Sequence, residues 1–179
     1  MGRPYQILLP LLSLFLTRVD LTDLYPLEYE AKLLKVVDGD TLHLKYGNQV
    51  LKLRLSKLDS PEKGQPFYQG GDAGAVALQC AQKVLKEFKH PILQIEKQDI
   101  YGRLLGDIKG VSLKLIQNGC AGLYPYAIFH SKHEKSVYLQ AYAEARTHRR
   151  GLWNGSGYQL PKNWRKLKNH FKKQIAIRQ

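Results

Sequence analysis

The sequence predicts an α+β protein built on a small barrel of five β-strands, with about three α-helices. Three observations favour this fold class. Apolar and polar residues alternate with period two after position 28, most clearly at Leu51, Leu53 and Leu55. A Gly-Asn turn at 47–48 joins two such segments as a hairpin. Longer segments with apolar residues at helical spacing, such as 72–89, are inserted among the strands.

The elements follow in order along the chain. Strands are expected at 29–37, 40–46, 49–58, 92–97 and 104–109, and helices at 72–89, 112–117 and 133–148. Ser112 can cap the second helix, Gly119 follows its end, and Gly151 ends the third. Short strands with helices among them are typical of the OB (oligonucleotide/oligosaccharide-binding) barrel, which binds ligands across one face of its sheet.

Length and charge restrict the organisation and the partners. The chain has 179 residues, of which 44% are hydrophobic and 24% charged, enough for one domain with short extensions. We expect a signal-like apolar segment and linker at 1–28, the barrel domain at 29–160 and a basic tail at 161–179. The net charge of +13 makes nucleic acid or an anionic membrane the first partners to consider.

The N-terminal segment predicts export. Arg3 precedes the apolar run at 7–16, which is short for a bilayer span but suits the core of a signal peptide, although no A-x-A cleavage site follows. We expect a secreted or otherwise extracytoplasmic protein, either periplasmic or tethered to the membrane by an uncleaved segment. The alternative is an amphipathic or core helix that begins the fold.

The two cysteines do not decide the compartment. Cys80 and Cys120 form no disulfide framework and have no metal-ligand spacing around them. We expect two buried thiols that pack as small apolar residues, with a bridge as the alternative.

Carboxylates at the ends of two strands indicate a cation site. Asp40 is in phase with the apolar residues of its strand, so it points into the barrel mouth, where a charge needs a cationic partner. Hairpin pairing brings it near Asp59, and Glu62 follows three residues later. Hard oxygen ligands with backbone carbonyls and water suit Ca²⁺, whereas no histidine or cysteine favours zinc. Asp38 more simply shapes the turn around Gly39.

Two arginines complete a set suited to phosphodiester hydrolysis. Arg54 lies on the polar face of the strand that leads to Asp59, and Arg103 begins another strand. Planar guanidinium groups grip phosphates and stabilise the extra charge of a pentacoordinate transition state. Each motif alone is more often a turn or a loop, so the inference rests on their joint order and spacing.

That order resembles the staphylococcal nuclease (thermonuclease) family. The matching motifs are "VVDGDT" at 36–41, "LRLSKLDSPE" at 53–62, "DIYGR" at 99–103, "NGCA" at 118–121 and "RGLW" at 150–153. The sequence "LPKNWR" at 160–165 is similar to a tail found in many bacterial members. The resemblance covers roughly residues 30–165.

The resemblance implies a five-stranded OB barrel and calcium-dependent cleavage of DNA and RNA, with assigned residues. Asp40 and Asp59 match the metal-binding carboxylates, and Ser60 stands where a threonine usually supplies a backbone carbonyl. Glu62 matches the residue held to be the general base, and Arg54 and Arg103 match the phosphate-binding arginines.

The substrate-contacting tyrosines are less well defined. The family's prototype places two tyrosines near the nucleotide base and phosphate. Tyr124 and Tyr126 are the candidates here, although Pro125 blurs the register and either ring could belong to the core. Tyr101 of the Y-G-R motif is a third candidate.

We therefore predict a monomeric calcium-dependent endonuclease with DNA and RNA substrates and no obligate protein partner. The rival is a catalytically weak or inactive OB module that only binds nucleic acid, and a basic membrane-surface protein ranks last because it leaves the acid–arginine set unexplained. The tail at 161–179 carries seven lysines and arginines and no acid, and we expect it to be dispensable for chemistry. It either neutralises substrate phosphates or is a solvated helix.

Overall fold

The structure is a computed structural model that describes residues 28–67, 71–155 and 158–177, with side chains for 30–67, 71–155 and 158–170. The predicted signal segment therefore lies outside the described residues, except for Glu28. The strands are β1 (Glu28–Glu30), β2 (Lys32–Val36), β3 (Thr41–Tyr46), β4 (Gln49–Leu55), β5 (Leu58–Asp59), β6 (Ile92–Gln98), β7 (Leu104–Ile108) and β8 (Gly122–Leu123). The helices are α1 (Ala73–Leu85), α2 (Val111–Gln117), α3 (Lys132–Thr147) and α4 (Pro161–Ile177), with a 3₁₀ turn at Gly151–Asn154.

The main sheet has the strand order β1-β6-β7-β4-β3-β2, in which β4 and β7 are parallel and the other pairs are antiparallel. Its two outer strands, β1 and β2, are halves of the predicted first strand, which bends at Ala31. β1 and β2 are not paired with each other and lie at opposite edges of the sheet. They are nevertheless consecutive in the chain, connected by Ala31. The predicted OB-type α+β class is confirmed, although the hydrogen bonds of the sheet do not close into a barrel. A second, two-stranded sheet pairs β5 with β8.

Period-two alternation places the leucines of the β3–β4 hairpin in the core. Leu42 pairs with Leu53, and Leu44 with Leu51, across a register that ends at the turn around Gly47. Leu42, Leu44, Leu53 and Leu55 are all buried. Each fully buried leucine stabilises the fold by about 1.5–3 kcal/mol relative to exposure. The hairpin thereby fixes the strand ends opposite the turn, where Asp40 and Arg54 lie.

The described residues contain four α-helices, one more than the approximate number of three that the sequence predicted. The fourth, α4, is formed by the predicted basic tail. It begins at Pro161, a residue favoured at the first helical position because it has no N–H to leave unpaired. Pro161 is buried and Trp164 is half-buried, so α4 packs against the domain rather than standing free in solvent.

The expectation of two free thiols is also wrong. Cys80 of α1 and Cys120, which follows α2, form a disulfide with their Cα atoms 5.3 Å apart. That separation lies within the range that a bridge requires. The cysteines are 40 positions apart in sequence, so only the packing of α1 against α2 reveals the pairing.

A buried ion cluster supports the segment between β4 and β5. The Nζ of Lys57 lies 3.3 Å from Glu134, 3.7 Å from Asp107 and 3.9 Å from Glu96. Asp107 also accepts hydrogen bonds from the hydroxyl of Ser112 at 2.5 Å and from that of Tyr138 at 3.2 Å. Burial raises the pKa of Asp107 above its ordinary value, although Ser112 and Lys57 favour its charged form. The cluster ties β6, β7, α2 and α3 to the residue that precedes Leu58 and Asp59.

No described helix has the length and apolar character needed to cross a membrane.

Candidate active site

The site begins at the turn between β2 and β3. The carboxylate of Asp38 accepts a hydrogen bond from the amide of Asp40 at 3.0 Å, as the sequence predicted. A Cβ built on Gly39 would overlap the hydroxyl of Ser60, so only glycine allows the turn to lie this close to that segment. Burial, followed by the charge of Asp40, raises the pKa of Asp38. The turn therefore presses Asp40 against the segment that contains Asp59.

Asp40 and Asp59 lie side by side on neighbouring segments. The backbone amide of Ser60 donates to Asp40 Oδ2 at 2.9 Å, and the hydroxyl of Thr41 donates to Oδ1 at 3.0 Å. Asp59 is held by the pairing of β5 with Gly122 of β8. Both carboxylates are almost completely buried, at 4% and 2% exposure, so each needs a cationic partner.

Arg54 supplies charge to both acids. Its Nη1 forms an ion pair with Asp40, and its Nη2 lies 3.3 Å from Asp59 Oδ1. Burial acts to lower the pKa of Arg54, but the charge and hydrogen bond of Asp40, then the charge of Asp59, outweigh it and raise that pKa. The predicted grouping of Asp40, Arg54 and Asp59 is therefore present in the structure.

Glu62 lies beside this group on the loop that follows β5. Its side chain is 36% exposed, and its backbone carbonyl accepts a hydrogen bond from the amide of Gln65 at 3.0 Å. Gln65 is itself buried and donates through Nε2 to the carbonyl of Gln159 at 2.6 Å. The loop is thus tied to the chain segment that leads into α4.

The last helix contributes two cations that the sequence did not assign to the site. Arg165 binds both oxygens of Asp59, with Nη2–Oδ2 at 2.7 Å and Nη1–Oδ1 at 3.3 Å, and its Nη1 lies 3.8 Å from Glu62. The Nζ of Lys168 lies 3.4 Å from Glu62 Oε2. Burial acts to lower the pKa of Arg165, but the hydrogen bond and charge of Asp59 raise it. The tail, which we expected to be dispensable for chemistry, therefore contacts two of the candidate acids.

A sequence signal for these contacts exists. In the segment "LPKNWR", Pro161 begins the helix, and Trp164, Arg165 and Lys168 follow at spacings that place them on neighbouring positions of one helix surface. The pattern predicts a docked helix. It does not identify the partner, because Arg165 lies 106 positions from Asp59.

The donor set fits a hard divalent cation in part. Asp40 and Asp59 offer carboxylate oxygens in one buried place, the chemistry that Ca²⁺ prefers. In the structure, the guanidinium groups of Arg54 and Arg165 provide the positive charge that these acids require. The described residues contain no cluster of three or more acidic, histidine or cysteine side chains suited to a metal, so backbone oxygens and water would have to complete a shell. The amide of Ser60 bonds Asp40, while its carbonyl as a ligand stays a prediction.

Arg103 is held away from the acids by its own turn. Its Nε and Nη2 lie 2.9 and 2.8 Å from Asp99 Oδ2, and its guanidinium lies 5.7 Å from the ring of Tyr101. Among the described side chains, Arg103 forms an ion pair with Asp99 and none with Asp40, Asp59 or Glu62. It nevertheless lies immediately before β7, whose Leu105 pairs with Arg54. The structure thus brings Arg103 to the neighbouring strand but not into the acid group.

The three candidate tyrosines occupy two places. Tyr101 is exposed at the turn before β7. Tyr124 and Tyr126 form an edge-to-face pair with centroids 5.6 Å apart, and Tyr126 is 66% exposed. The Nζ of Lys162, on α4, donates to the hydroxyl of Tyr126 at 3.0 Å, and this bond together with the lysine charge lowers the pKa of Tyr126. Tyr126 is therefore a surface ring beside α4 rather than a core aromatic.

Comparison with known proteins decides the family. Residues 52–155 match the sequence profile described as staphylococcal nuclease homologue. The chain belongs to the staphylococcal nuclease family. The match covers more than half of the chain and includes Arg54, Asp59, Glu62 and Arg103.

Individual members of this family align over most of the chain. A micrococcal nuclease of Shigella flexneri is 28% identical over 153 residues, which cover 78% of this chain and 82% of that protein. An uncharacterized endonuclease of Haemophilus influenzae is 30% identical over 143 residues, covering 75% and 72%. Endonuclease YhcR of Bacillus subtilis is 32% identical over 142 residues, covering 71% of this chain but 12% of that longer protein. In this staphylococcal nuclease family member, α4 lies beyond the residues that the family profile matches.

Proposed function

We propose that this protein is a calcium-dependent endonuclease that hydrolyses phosphodiester bonds of DNA and RNA with little sequence or sugar specificity. The nuclease class follows from the family and from relatives named as nucleases and endonucleases. The observation that carries the finer proposal is the buried pair of acids, Asp40 and Asp59, which Arg54 bridges. Glu62 follows Asp59 by three positions.

The residues divide the work of an in-line displacement. Glu62 is half-exposed, so its carboxylate can take a proton from a water molecule whose oxygen then bonds to phosphorus. The bond from phosphorus to the leaving oxygen breaks, and that oxygen gains a proton from solvent or a nearby acid. Arg54 and Arg103 bind the non-bridging oxygens and stabilise the added charge of the transition state.

Two arginines must change their contacts for this role: Arg165, which binds both oxygens of Asp59, and Arg103, which binds Asp99. A divalent cation held by Asp40 and Asp59 would polarise the phosphoryl oxygen and assist the attacking water. Arg103 binds Asp99 through Nε and Nη2, so it must exchange that carboxylate for phosphate or use its remaining N–H groups.

The cleavage assay tests the proposal directly. Purified protein is incubated with supercoiled plasmid and with RNA, in Ca²⁺, in Mg²⁺ or in chelator. We expect both substrates to be degraded in Ca²⁺, poorly in Mg²⁺, which demands a tighter octahedral shell, and not in chelator. Full activity in chelator contradicts the calcium assignment.

A binding module without cleavage is the second candidate, and one contact favours it. Arg165 engages both oxygens of Asp59, which a bound cation would also need. Under this alternative the protein retards plasmid in a gel in chelator and in Ca²⁺ alike, and leaves it uncut in both.

Location outside the cytoplasm is part of the proposal. The Cys80–Cys120 disulfide supports it, since disulfides persist mainly in oxidising compartments. A fusion of residues 1–28 to a reporter enzyme should move the reporter out of the cytoplasm, and a reporter with Arg3 and the apolar run replaced by polar residues is the control. A cytosolic reporter fused to the intact segment would argue for a structural N-terminal helix.

A further inference from the structure

The Glu62 loop and the segment 158–168 hold each other at three successive points. The ring of Phe67 packs edge-on against Tyr158, with centroids 6.5 Å apart. Gln65 Nε2 donates to the carbonyl of Gln159 at 2.6 Å. The carboxylate of Glu62 meets the cations of α4 at the third point. Both the backbone and the acid of this loop are therefore fixed from the C-terminal segment.

The cations of α4 contact each oxygen of Glu62 separately. Arg165 Nη1 lies 3.8 Å from Oε1, and Lys168 Nζ lies 3.4 Å from Oε2. The two cations are three positions apart on one helix, so they contact Glu62 from neighbouring positions on the same helix surface. Arg165 also makes two bonds to the buried Asp59, for whose oxygens a bound cation would compete, so the proposal uses only its contact with Glu62. The helix thus contacts both Asp59 and Glu62.

The docking of α4 does not depend on these ion pairs alone. A Cβ on Gly122, the strand partner of Asp59, would lie 3.3 Å from a methyl group of Leu160. Pro161 is buried and Trp164 is half-buried. Burial, followed by the charge of Asp59, raises the pKa of the Tyr158 hydroxyl. A docked helix therefore carries Arg165 and Lys168.

We propose that α4 is part of the active site and that Arg165 and Lys168 are positioning residues for Glu62. The proposal rests on the proposed function, in which Glu62 activates water. A carboxylate on a loop without regular secondary structure rotates freely unless it is held, and a misplacement of about 1 Å can cost about a hundredfold in rate. Loss of the two cations should therefore lower turnover more than substrate affinity.

The kinetic test compares Arg165→Gln, Lys168→Gln and the double variant with Lys166→Gln. Lys166 lies on the same helix, is exposed and has no ion pair with Asp59 or Glu62 among the described side chains, so its variant reports the loss of one positive charge. We expect kcat to fall about tenfold or more in the double variant, with a change in KM no larger than twice that of Lys166→Gln. Arg165→Lys should recover part of the rate. An unchanged kcat, or a loss confined to KM, overturns the proposal.

A second measurement separates this proposal from the proposed function. Hydrogen–deuterium exchange follows the Gln65 amide, which donates to the Glu62 carbonyl, in the intact protein without substrate. Exchange should accelerate about fivefold or more in the double variant and not in Lys166→Gln, while near-UV circular dichroism stays that of the folded protein. If the wild-type protein cuts nothing but exchange accelerates, the proposed function fails and the positioning contact stands. If the wild-type protein is inactive and exchange is unchanged in the double variant, both the proposed function and the positioning contact are overturned. If the double variant does not fold, the two single variants are judged by the same criteria.

Discussion

Gly39 lies directly against Ser60, so close that a Cβ on Gly39 would overlap the serine hydroxyl. The φ angle of Gly39 is not in the left-handed region, so an alanine would meet a steric obstacle rather than backbone strain. We expect Gly39→Ala to destabilise the protein by about 1–3 kcal/mol in urea unfolding, as overpacking does. Calorimetric titration should also show weaker Ca²⁺ binding, because the turn that carries Asp40 moves.

The matched variant is the double substitution Gly39→Ala with Ser60→Gly. Removing the serine side chain relieves the overlap and keeps the backbone carbonyl predicted to be a ligand. The two substitutions should be coupled by about 1 kcal/mol or more. Strict additivity would mean that the turn and the serine do not touch in solution.

Glu62→Gln keeps the shape of the side chain and removes the proposed base. We expect single-turnover cleavage of DNA in Ca²⁺ to slow by about a hundredfold or more, with an unchanged unfolding midpoint. Glu87→Gln is the control, since Glu87 pairs with Lys114 at 3.7 Å and not with the site cations. Cleavage by Glu62→Gln at the wild-type rate would show that another group activates water.

Arg103→Ala tests the arginine that the structure holds away from the acids. If Arg103 leaves Asp99 to bind phosphate, its removal should slow cleavage by about a hundredfold, because transition-state charge loses a donor. Lys97→Ala removes an exposed charge from the preceding strand β6 and should leave the rate within about twofold. Equal rates for the two variants would restrict Arg103 to stabilising its turn.

Truncation after Lys168 separates the docked part of α4 from the remaining tail. It removes three cations, Lys172, Lys173 and Arg178, and keeps Arg165 and Lys168. We expect a higher KM for long DNA and a salt dependence flatter by up to about 0.9 per lost phosphate contact, with turnover at saturation nearly unchanged. The readout is initial rate against DNA concentration at several salt concentrations. An unchanged salt slope would make the removed tail a solvated helix, and a lost turnover would mean that it also supports the site.

Lys57→Met tests the buried ion cluster. Asp107 would then lose its buried cation, and breaking such a pair costs about 3–5 kcal/mol, measured by urea unfolding at pH 7. Burial raises the folded-state pKa of Asp107 above its unfolded value. The cost of keeping this carboxylate charged in the folded protein is therefore absent below about pH 4, where Asp107 is protonated in both states, and is complete once the pH has risen above the folded pKa. Acidification toward pH 5 should therefore recover part of the loss. Lys89→Met, at an exposed lysine, should stay within about 0.5 kcal/mol, and a similar loss in both variants would contradict the assignment.

The sequence predicts local structure and the acid pair well because both depend on short-range geometry. Period two places Leu53 and Leu55 inside, and a hairpin must bring the residues at its open end, such as Asp40 and Arg54, together. The bend at Ala31 and the separation of β5 from β4 were not predicted, since the alternation continues through both places.

Contacts between distant segments could not be predicted from one sequence. The bond between Arg165 and Asp59 spans 106 positions, and the disulfide spans 40. Spacing within a helix shows which residues share a surface, but only packing shows what lies opposite. By contrast, Asp99 and Arg103 are only four positions apart, so their pairing is a local contact of the kind that a sequence can indicate.

The bend at Ala31 sets a limit on how the N-terminus can be matured. The segment 28–36 pairs with β6 through its first half and with β3 through its second. If the proposed export segment is removed, the cut must fall before Glu28 to keep both pairings. A cut beyond Ala31 would leave the outer hydrogen-bonding groups of β6 unpaired, and an exposed strand of this kind is a template for pairing with other chains. Such a product would be prone to aggregate even though every proposed catalytic side chain is intact.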